Sequence, residues 1–323
     1  MPLRILFAAS PAIAVPALGA VADLCGRDRR FELAGILTNP DSPRGRSGRP
    51  EPTECAAAAE RLVPGIPVLK PGKLGAEARA LVGELRPDLL VSFAYGRIFG
   101  PKFLALFPAG GINAHPSLLP KHRGPTPIPA AILGGDGETG ITVQRLAAEM
   151  DAGDILAAES FPLSGRETTT GLTATMAARA AGLLPGVLEK IASGTAEGRP
   201  QDRGAASYCG LISKSDGIID WNMGAREIGA RIRAYNPWPL CETAHGDQRL
   251  FILRAEAVGD SGGAAEPGTV LGKDENKGIL IRTGDGVLAA GELQYGGRRA
   301  LEWGDFLNGA RNFIGERLGG LGR

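Results

Sequence analysis

Short apolar runs alternate with stretches of helical periodicity through the first half of the chain. Continuous apolar strands separated by helices are typical of a mainly parallel sheet that is covered on both faces. The predicted strands lie at 4–9, 32–38, 88–95, 111–115 and 141–146, and the predicted helices lie at about 11–26, 53–63, 75–85, 125–134 and 170–193. The pattern therefore predicts an α/β domain built on a mainly parallel sheet.

The N-terminal run allows two interpretations. Arg4 followed by an Ala-rich apolar stretch is typical of a secretory signal peptide, but residues 4–10 fit a first buried strand equally well. Pro11 and Pro16 interrupt the stretch, which favours the strand and a cytoplasmic location. The four cysteines are far apart and are interpreted as free thiols of a reducing compartment; they are Cys25, Cys55, Cys209 and Cys241.

The pattern changes after residue 194. Residues 195–208 are polar and rich in Gly, Pro and charge, which is typical of a linker. Short apolar runs follow, separated by Gly or Asp, and they predict strands at 250–253, 268–271, 278–282 and 287–293. The sequence therefore predicts an α/β domain over 1–194, a linker over 195–208 and a small β-barrel or sandwich over 209–323.

Composition narrows the function classes. The 323 residues hold 36 Lys and Arg against 35 Asp and Glu, so a polybasic protein is excluded. Residues 206–323 hold 14 Lys and Arg and 15 Asp and Glu, which gives no independent sign of nucleic-acid binding. No stretch approaches about 20 uninterrupted apolar residues, so no membrane span is predicted. The separated cysteines and the three histidines form no metal-binding pattern, so no metal is predicted.

Residues 135–140 match the G-x-G-x-x-G pattern of dinucleotide-binding folds. That pattern binds a pyrophosphate only where a strand precedes it and a helix begins after it. Here a predicted helix precedes it and a predicted strand follows, so we interpret it as a loop. The turn after the first predicted strand, residues 8–12, contains no Gly. A nicotinamide or flavin dinucleotide is therefore not expected in that turn.

Three polar residues that follow predicted strands are candidates for chemistry. Asn113 and His115 are two apart on an extended segment, so their side chains point to the same face. The end of the strand at 141–146 is expected at the same carboxyl edge of the sheet, which would bring Asp151 to His115. An amide donor, an imidazole and a carboxylate suit a reaction that develops an oxyanion and moves a proton. A capping Asn, a structural His and a turn Asp are the alternatives, and spacing alone does not separate them.

Several motifs occur in order along the chain between residues 113 and 309. They are Asn113-Ala-His115, Ser117-Leu-Leu-Pro120, Arg123-Gly124 with Pro127-Ile128, Glu138-Thr-Gly-Ile-Thr142, Met150-Asp-Ala-Gly-Asp154, Ile212-Ser-Lys-Ser-Asp-Gly-Ile-Ile-Asp-Trp221, Arg233-Ala-Tyr-Asn-Pro-Trp-Pro239 and Phe306-Leu-Asn-Gly309. In these motifs the chain resembles the methionyl-tRNA formyltransferase family of the folate-dependent formyltransferase superfamily. The resemblance implies a Rossmann-like catalytic domain followed by a small OB-like β-barrel that binds tRNA, in a protein expected to be a monomer.

The resemblance also implies the reaction and its residues. A formyl group would move from 10-formyltetrahydrofolate to the amino group of methionine on initiator Met-tRNA. Asn113 and His115 would donate hydrogen bonds to the oxyanion, and Asp151 would hold His115 and a water that carries the amine proton. The other implied contacts are those with folate at Ser117, Leu118, Leu119 and Pro120, and those with the tRNA acceptor stem at Arg44, Arg46 and Arg49 in the loop 39–49.

Three alternative functions stay open from the sequence. A nucleotide-sugar formyltransferase would share the same three residues and fold, but the basic loop and the segment 237–239 favour tRNA. A hydrolase that releases formate from the same folate usually carries a regulatory module before the catalytic domain, whereas this chain starts at the first predicted strand. A non-catalytic folate- or RNA-binding protein would not need Asn113, His115 and Asp151 together.

Overall fold

A computed structural model describes residues 1–43, 48–259 and 263–319. The chain divides into two compact units, each built around its own sheet. The first unit comprises Met1–Pro127, Glu138–Pro162 and Thr173–Cys209, and the second comprises Ile128–Gly137, Leu163–Leu172 and the described part of Gly210–Arg323.

Among the described residues, nine strands belong to the first unit. They are β1 (Leu3–Ala8), β2 (Phe31–Leu37), β3 (Ser42–Pro43), β4 (Pro50–Glu51), β5 (Val68–Leu69), β6 (Leu89–Phe93), β7 (Gly111–His115), β8 (Glu138–Arg145) and β9 (Ile155–Pro162). Seven of them form one sheet in the order β5-β2-β1-β6-β7-β8-β9, and β3 pairs with β4 separately. The first five strands in that order are parallel, while β8 and β9 are antiparallel. The prediction of a mainly parallel sheet is confirmed.

The central strands are buried on both faces. In β1 the residues from Ile5 to Ala8 have no exposed surface, and every residue of β6 is buried. A strand that is covered on both faces needs apolar side chains on both, which explains why these strands are continuous apolar runs in the sequence. The strand interpretation of the N-terminal run is confirmed, because β1 lies at the centre of the sheet.

Within the described residues up to 209, six α-helices accompany these strands along the chain. They are α1 (Val15–Arg27), α2 (Glu54–Leu62), α3 (Ala76–Glu84), α4 (Pro101–Leu104), α5 (Pro127–Leu133) and α6 (Thr169–Ala192). All five predicted helices are present, and only the short α4 was not predicted. The turn between α5 and β8 confirms that residues 135–140 do not begin a helix.

The longest helix, α6, has 24 residues, and by length and apolar composition alone it could cross a membrane. Core helices of globular proteins pass the same test. The buried residues of α6 recur every four positions at Leu172, Met176, Ala180, Leu184 and Leu188. This spacing places them on one face, as in a helix that packs one side against a core.

One sequence expectation about the sheet edge is wrong. The strand predicted at 141–146 was expected to end at the carboxyl edge of β7, but β8 runs antiparallel to β7. Arg145 therefore pairs with Ile112, near the start of β7, while Thr142 pairs with His115. The chain returns through residues 146–154 to β9, where Gln144 pairs with Ile155. That return loop, rather than the end of the strand, carries Asp151.

The second unit contains an antiparallel sheet. Its remaining elements are α7 (Ala225–Ala234), β10 (Cys241–His245), β11 (Gln248–Val258), β12 (Val270–Asp274), β13 (Gly278–Arg282), β14 (Val287–Tyr295), β15 (Leu301–Glu302) and α8 (Trp303–Gly309). The strand order is β10-β11-β14-β13-β12, with β15 paired to β14. The four predicted strands are confirmed, whereas β10 and β15 were not predicted.

The C-terminal segment 315–319 pairs with both edge strands of this sheet. The amide of Gly319 donates to the carbonyl of Ala244 in β10, and the amide of Ala244 donates in return. The amide of Gly315 donates to the carbonyl of Val270 in β12, whose own amide donates to the carbonyl of Glu316. The backbone groups that these edges would otherwise expose are thus partly satisfied within the unit.

Residues 195–208, predicted as a linker, are hydrogen-bonded along the first unit. The amides of Arg199 and Ile155 donate to each other's carbonyl oxygens, at 2.9 and 2.8 Å. Further along, the amide of Arg123 donates to the carbonyl of Ser207, and the amide of Cys209 donates to the carbonyl of Arg123. A polar segment therefore completes one side of the unit by backbone pairing, which a hydrophobic pattern does not reveal.

Candidate active site

A cavity of about 530 Å³ lies beyond the carboxyl ends of β1, β6 and β7. From β1 the chain moves outward to β2 and β5 and then returns to β6 on the other side of β1. Such a topological switch point is where open α/β sheets bind ligands. The walls are largely apolar and include Tyr95, Phe99 and Leu146. The predicted residues Asn113, His115 and Asp151 all line this cavity, together with Gln144.

His115 ends β7, and the residue is 4% exposed. Its Nε2 lies 2.9 Å from the carbonyl oxygen of His122. A carbonyl oxygen only accepts, so Nε2 carries the proton, and in the neutral ring Nδ1 is bare. Nδ1 lies 3.6 Å from Oδ2 of Asp151. Burial lowers the pKa of His115 below its ordinary value, and the nearby Asp151 carboxylate acts in the opposite direction.

Asp151 is held in the return loop between β8 and β9. Oδ2 accepts a hydrogen bond from the amide of Gly124 at 2.9 Å, and Oδ1 accepts one from Nε2 of Gln144 at 3.0 Å. Asp151 adopts a φ of 52°, in the left-handed region that few residues other than glycine favour. The loop also packs tightly at Gly153, where an added Cβ would lie 1.9 Å from the carbonyl oxygen of Arg145. At Gly153 the loop therefore lies in close contact with β8. This contact places Asp151 next to His115.

Asn113 precedes His115 by two residues in β7. In the sheet it pairs with Ser92 of β6 and Gln144 of β8, and all three line the cavity. Its side-chain amide therefore stands on the cavity side of the strand, as the alternation of side chains along an extended segment predicts. Tyr95 closes another part of the wall, with its ring stacked 5.2 Å from that of Phe99. Among the described residues, the buried Tyr95 hydroxyl has no hydrogen-bond partner.

A second group of polar side chains was not among the predicted site residues, and Gln201 joins it to the Asp151 loop by donating to the carbonyl oxygen of Asp151 at 2.9 Å. Arg123 is 2% exposed, and its Nε and Nη2 donate to Oε1 of Gln201 at 3.2 and 2.9 Å. Nη1 of Arg123 donates to Glu149 at 3.1 Å and to the Tyr208 hydroxyl at 3.0 Å. The Arg123-Gly124 motif could have pointed to Arg123. Nothing in the polar composition of 195–208 distinguishes Gln201 from its neighbours.

The predicted folate-contact segment from Ser117 to Pro120 begins two residues after His115. Ser117 is fully buried, and its hydroxyl donates to the carbonyl of Lys121 at 2.6 Å. The Thr142 hydroxyl donates to the carbonyl of Ser117 and accepts from the amide of Leu119. The described residues that line the cavity do not include this segment. Its contact with folate therefore stays a prediction.

The residues predicted to contact tRNA belong to a different part of the chain from Asn113, His115 and Asp151. Arg44 and Arg46 fall outside the described residues, and Arg49, which precedes β4, is exposed. Residues 39–42 line a second cavity of about 430 Å³. Pro11 and Arg97 line both cavities, so the base of the basic loop adjoins the cavity that contains His115.

Family comparison agrees with this geometry. A family model described as formyl transferase matches residues 14–188, and one described as formyl transferase, C-terminal domain, matches residues 211–311. The chain belongs to the formyl transferase family. The protein of Treponema denticola named methionyl-tRNA formyltransferase is 45% identical over 322 residues, which cover 97% of this chain and 98% of that protein. The protein of the same name from Roseiflexus castenholzii is 42% identical over 321 residues, with 99% and 100% covered.

Solved structures share the fold at lower identity. The N-formyltransferase from Helicobacter canadensis, in complex with folinic acid and dTDP-3-aminofucose, has a TM-score of 0.64 at 19% identity, covering 90% of this chain and 99% of that one. HypX from Aquifex aeolicus in complex with tetrahydrofolic acid has a TM-score of 0.58 at 17% identity, covering 95% of this chain and 47% of that one. At such identities the likeness establishes the fold only.

Proposed function

We infer that this chain transfers the formyl group of 10-formyltetrahydrofolate to the amino group of methionine on initiator Met-tRNA. The observation that carries the proposal is the convergence of Asn113, His115 and Asp151 on one cavity at the switch point of the sheet. The full-length similarity to proteins named methionyl-tRNA formyltransferase supports the choice of substrate. The test is transfer of a labelled formyl group from the folate donor to Met-tRNA.

The reaction requires one bond to form, one to break and one proton to move. The methionyl nitrogen bonds to the formyl carbon, and the formyl oxygen becomes an oxyanion. The bond from that carbon to N10 of the folate then breaks, and a proton from the attacking nitrogen ends on N10. We assign the Asn113 amide to the oxyanion, because a preorganised N–H donor stabilises the negative charge that develops there.

His115 would carry the proton. Because its Nε2 proton is bonded to the His122 carbonyl, Nδ1 is the nitrogen that can accept a proton from the attacking amine. Once protonated, Nδ1 can donate to the oxyanion. Asp151, 3.6 Å away, would stabilise the imidazolium and hold the water through which the proton reaches N10. His115 would thus act first as a base and then as the oxyanion donor that the family resemblance implies.

For the substrates, we propose that the folate ring system lies against the apolar wall of the cavity. A polar group of the bound folate would supply the partner that the buried Tyr95 hydroxyl lacks among the described residues. Ser117, Leu118, Leu119 and Pro120 stay predicted contacts of the same ligand. Arg44, Arg46 and Arg49 stay predicted contacts of the acceptor stem.

For the whole chain, we propose a catalytic domain over 1–194, a connecting segment over 195–208 and a tRNA-binding domain over 209–323. We propose that the C-terminal sheet is a closed barrel of the OB type, because the segment 315–319 pairs with both β10 and β12. We also propose that the protein is a cytoplasmic monomer that acts away from membranes.

The protonation of His115 can be tested directly. We expect His115 to titrate below the ordinary histidine pKa of about 6.5, because burial disfavours the charged ring. The ring would then be neutral at pH 7, with its proton on Nε2. Side-chain 15N NMR is well suited, since the chain has three histidines and a His115→Ala sample assigns the signal. A titration midpoint above the ordinary value, or a neutral ring protonated on Nδ1, would contradict this assignment.

The basic loop gives a prediction about tRNA. Arg46→Ala is expected to lower kcat/KM for Met-tRNA while leaving folate binding unchanged, because a phosphate contact acts on the tRNA alone. The loss should shrink as salt rises, since screening already weakens the contact in the wild type. Measuring kcat/KM for both proteins at two salt concentrations decides it. Equal kcat/KM values at low salt would remove Arg46 from tRNA binding.

A further inference from the structure

The Asp151 carboxylate is oriented by a chain of hydrogen bonds that begins at a buried charge. Arg123 donates to Oε1 of Gln201, and Nε2 of Gln201 lies 3.2 Å from Oε1 of Gln144. Nε2 of Gln144 in turn donates to Oδ1 of Asp151 at 3.0 Å. The chain thus runs from a guanidinium, which only donates, to a carboxylate, which only accepts.

These two ends fix the orientation of both amides between them. Because Arg123 can only donate, the oxygen of Gln201 must face it and the NH2 group must face the other way. The same NH2 group lies 2.9 Å from the carbonyl oxygen of Asp151 and 2.7 Å from that of Gly153, and both of these only accept. The Gln201 NH2 group has two hydrogens for three acceptors, so the Gln144 oxygen, at 3.2 Å the longest contact, shares one of them, and the Gln144 NH2 group faces the Asp151 carboxylate. Each hydrogen bond in such a chain polarises the next.

We infer that Gln201 is a positioning residue of the catalytic centre, holding the backbone of the Asp151 loop directly and orienting the Asp151 carboxylate through Gln144. This role rests on the proposed function of Asp151. The segment 195–208 would then do more than connect two domains, because it carries Gln201, which bonds to the Asp151 loop. The strained φ of Asp151 is held in place by the bond from Gln201 to its carbonyl.

The test is a double-mutant cycle of Gln201→Met and Asp151→Asn, assayed by formyl transfer to Met-tRNA. Methionine keeps the length of glutamine but makes none of its hydrogen bonds. Gln201→Met alone is expected to lower kcat by about tenfold to a hundredfold, as a small misplacement of a catalytic group does, with a much smaller change in KM. In the Asp151→Asn background the same substitution should lower kcat by less than about twofold, because the positioned carboxylate is already gone.

Equal kcat losses in both backgrounds would overturn the proposal, since they would mean that Gln201 acts without Asp151. Glu197→Ala is the matched control, because Glu197 is exposed in the same segment, and it should keep the wild-type kcat. If Gln201→Met does not fold, as judged by thermal unfolding, Gln144→Leu breaks the same chain from β8. Its kcat loss should likewise disappear in the Asp151→Asn background, and a persisting loss would overturn the proposal.

The pKa of His115 can be measured without substrate, so it tests the positioning role of Gln201 separately from the proposed function. Asp151 and His122 are the titratable groups that act on the His115 ring, and Asp151 raises its pKa. If Gln201→Met lets the carboxylate move away, the His115 midpoint measured by 15N NMR should fall below the wild-type value. An unchanged midpoint in the folded variant would refute the positioning role. Failure of the wild type to formylate Met-tRNA would instead refute the proposed function.

Discussion

His115→Ala is expected to lower kcat for formyl transfer by about a hundredfold to ten-thousandfold, the usual range for loss of a general acid–base group. The variant removes both the Nδ1 base and the donor that the protonated ring offers to the oxyanion. Binding of the folate donor should change little, because the apolar cavity wall around Tyr95 and Phe99 is left in place. Single-turnover rates with enzyme in excess over Met-tRNA give the rate of the chemical step, steady-state rates give kcat, and fluorescence titration gives the folate affinity.

A histidine in the second unit provides the control. His245 bonds through Nδ1 to the Tyr295 hydroxyl at 2.7 Å and is remote from the proposed chemistry in the chain. His245→Gln keeps a polar group at that position and should keep the wild-type kcat. If His115→Ala retained kcat within about threefold of wild type, the ring would not be the proton carrier, since general acid–base groups contribute far more.

Asp151→Asn is expected to lower kcat by a similar factor, about a hundredfold or more, although the two side chains have nearly the same shape. Both carboxylate oxygens accept hydrogen bonds, one from the Gly124 amide and one from Gln144. The NH2 group of asparagine must face one of these donors in either orientation. Turning the Gln144 amide to accommodate it would place the Gln144 NH2 group against the NH2 group of Gln201. The variant thus loses the charge that stabilises the imidazolium and also disturbs the loop.

The kinetics of Asp151→Asn should be compared with those of Asp154→Asn, which makes the same chemical change at an exposed position of the same loop. We expect Asp154→Asn to keep kcat near the wild-type value. The KM for Met-tRNA should be similar in all three proteins, because Asp151 is assigned to proton transfer rather than to tRNA binding. Equal kcat values for the two variants would remove Asp151 from the proposed mechanism.

Much of the first unit could be predicted because its central strands are buried on both faces. In a chain with alternating helices, continuous apolar runs such as β1 and β6 are typical of strands in a parallel sheet. The direction of β8 could not be predicted, because an apolar run carries no sign of whether it pairs parallel or antiparallel. The edge strand β9 was not predicted, because its short apolar run from Ile155 to Ala158 is followed by Glu159 and Ser160 and most of its second half is exposed.

Part of the candidate site could likewise be predicted from the sequence, and part could not. Asn113 and His115 share a face because of their spacing in one strand, so the sequence alone places them together. Asp151 reaches His115 for a reason that spacing does not contain, namely the return loop whose close approach to β8 depends on Gly153. Gln201 lies 50 residues from Asp151 in a polar segment, and only the three-dimensional structure brings its amide to the loop.

We propose that methionine on tRNA is formylated in the cavity lined by Asn113, His115 and Asp151. The most direct measurement compares kcat/KM for formyl transfer from 10-formyltetrahydrofolate to Met-tRNA and to a dTDP-amino sugar, using wild type and His115→Ala. We predict efficient transfer to Met-tRNA, no measurable transfer to the sugar, and loss of the tRNA reaction in His115→Ala. Preferred transfer to the sugar amine, or tRNA formylation that survives in His115→Ala, would contradict the account.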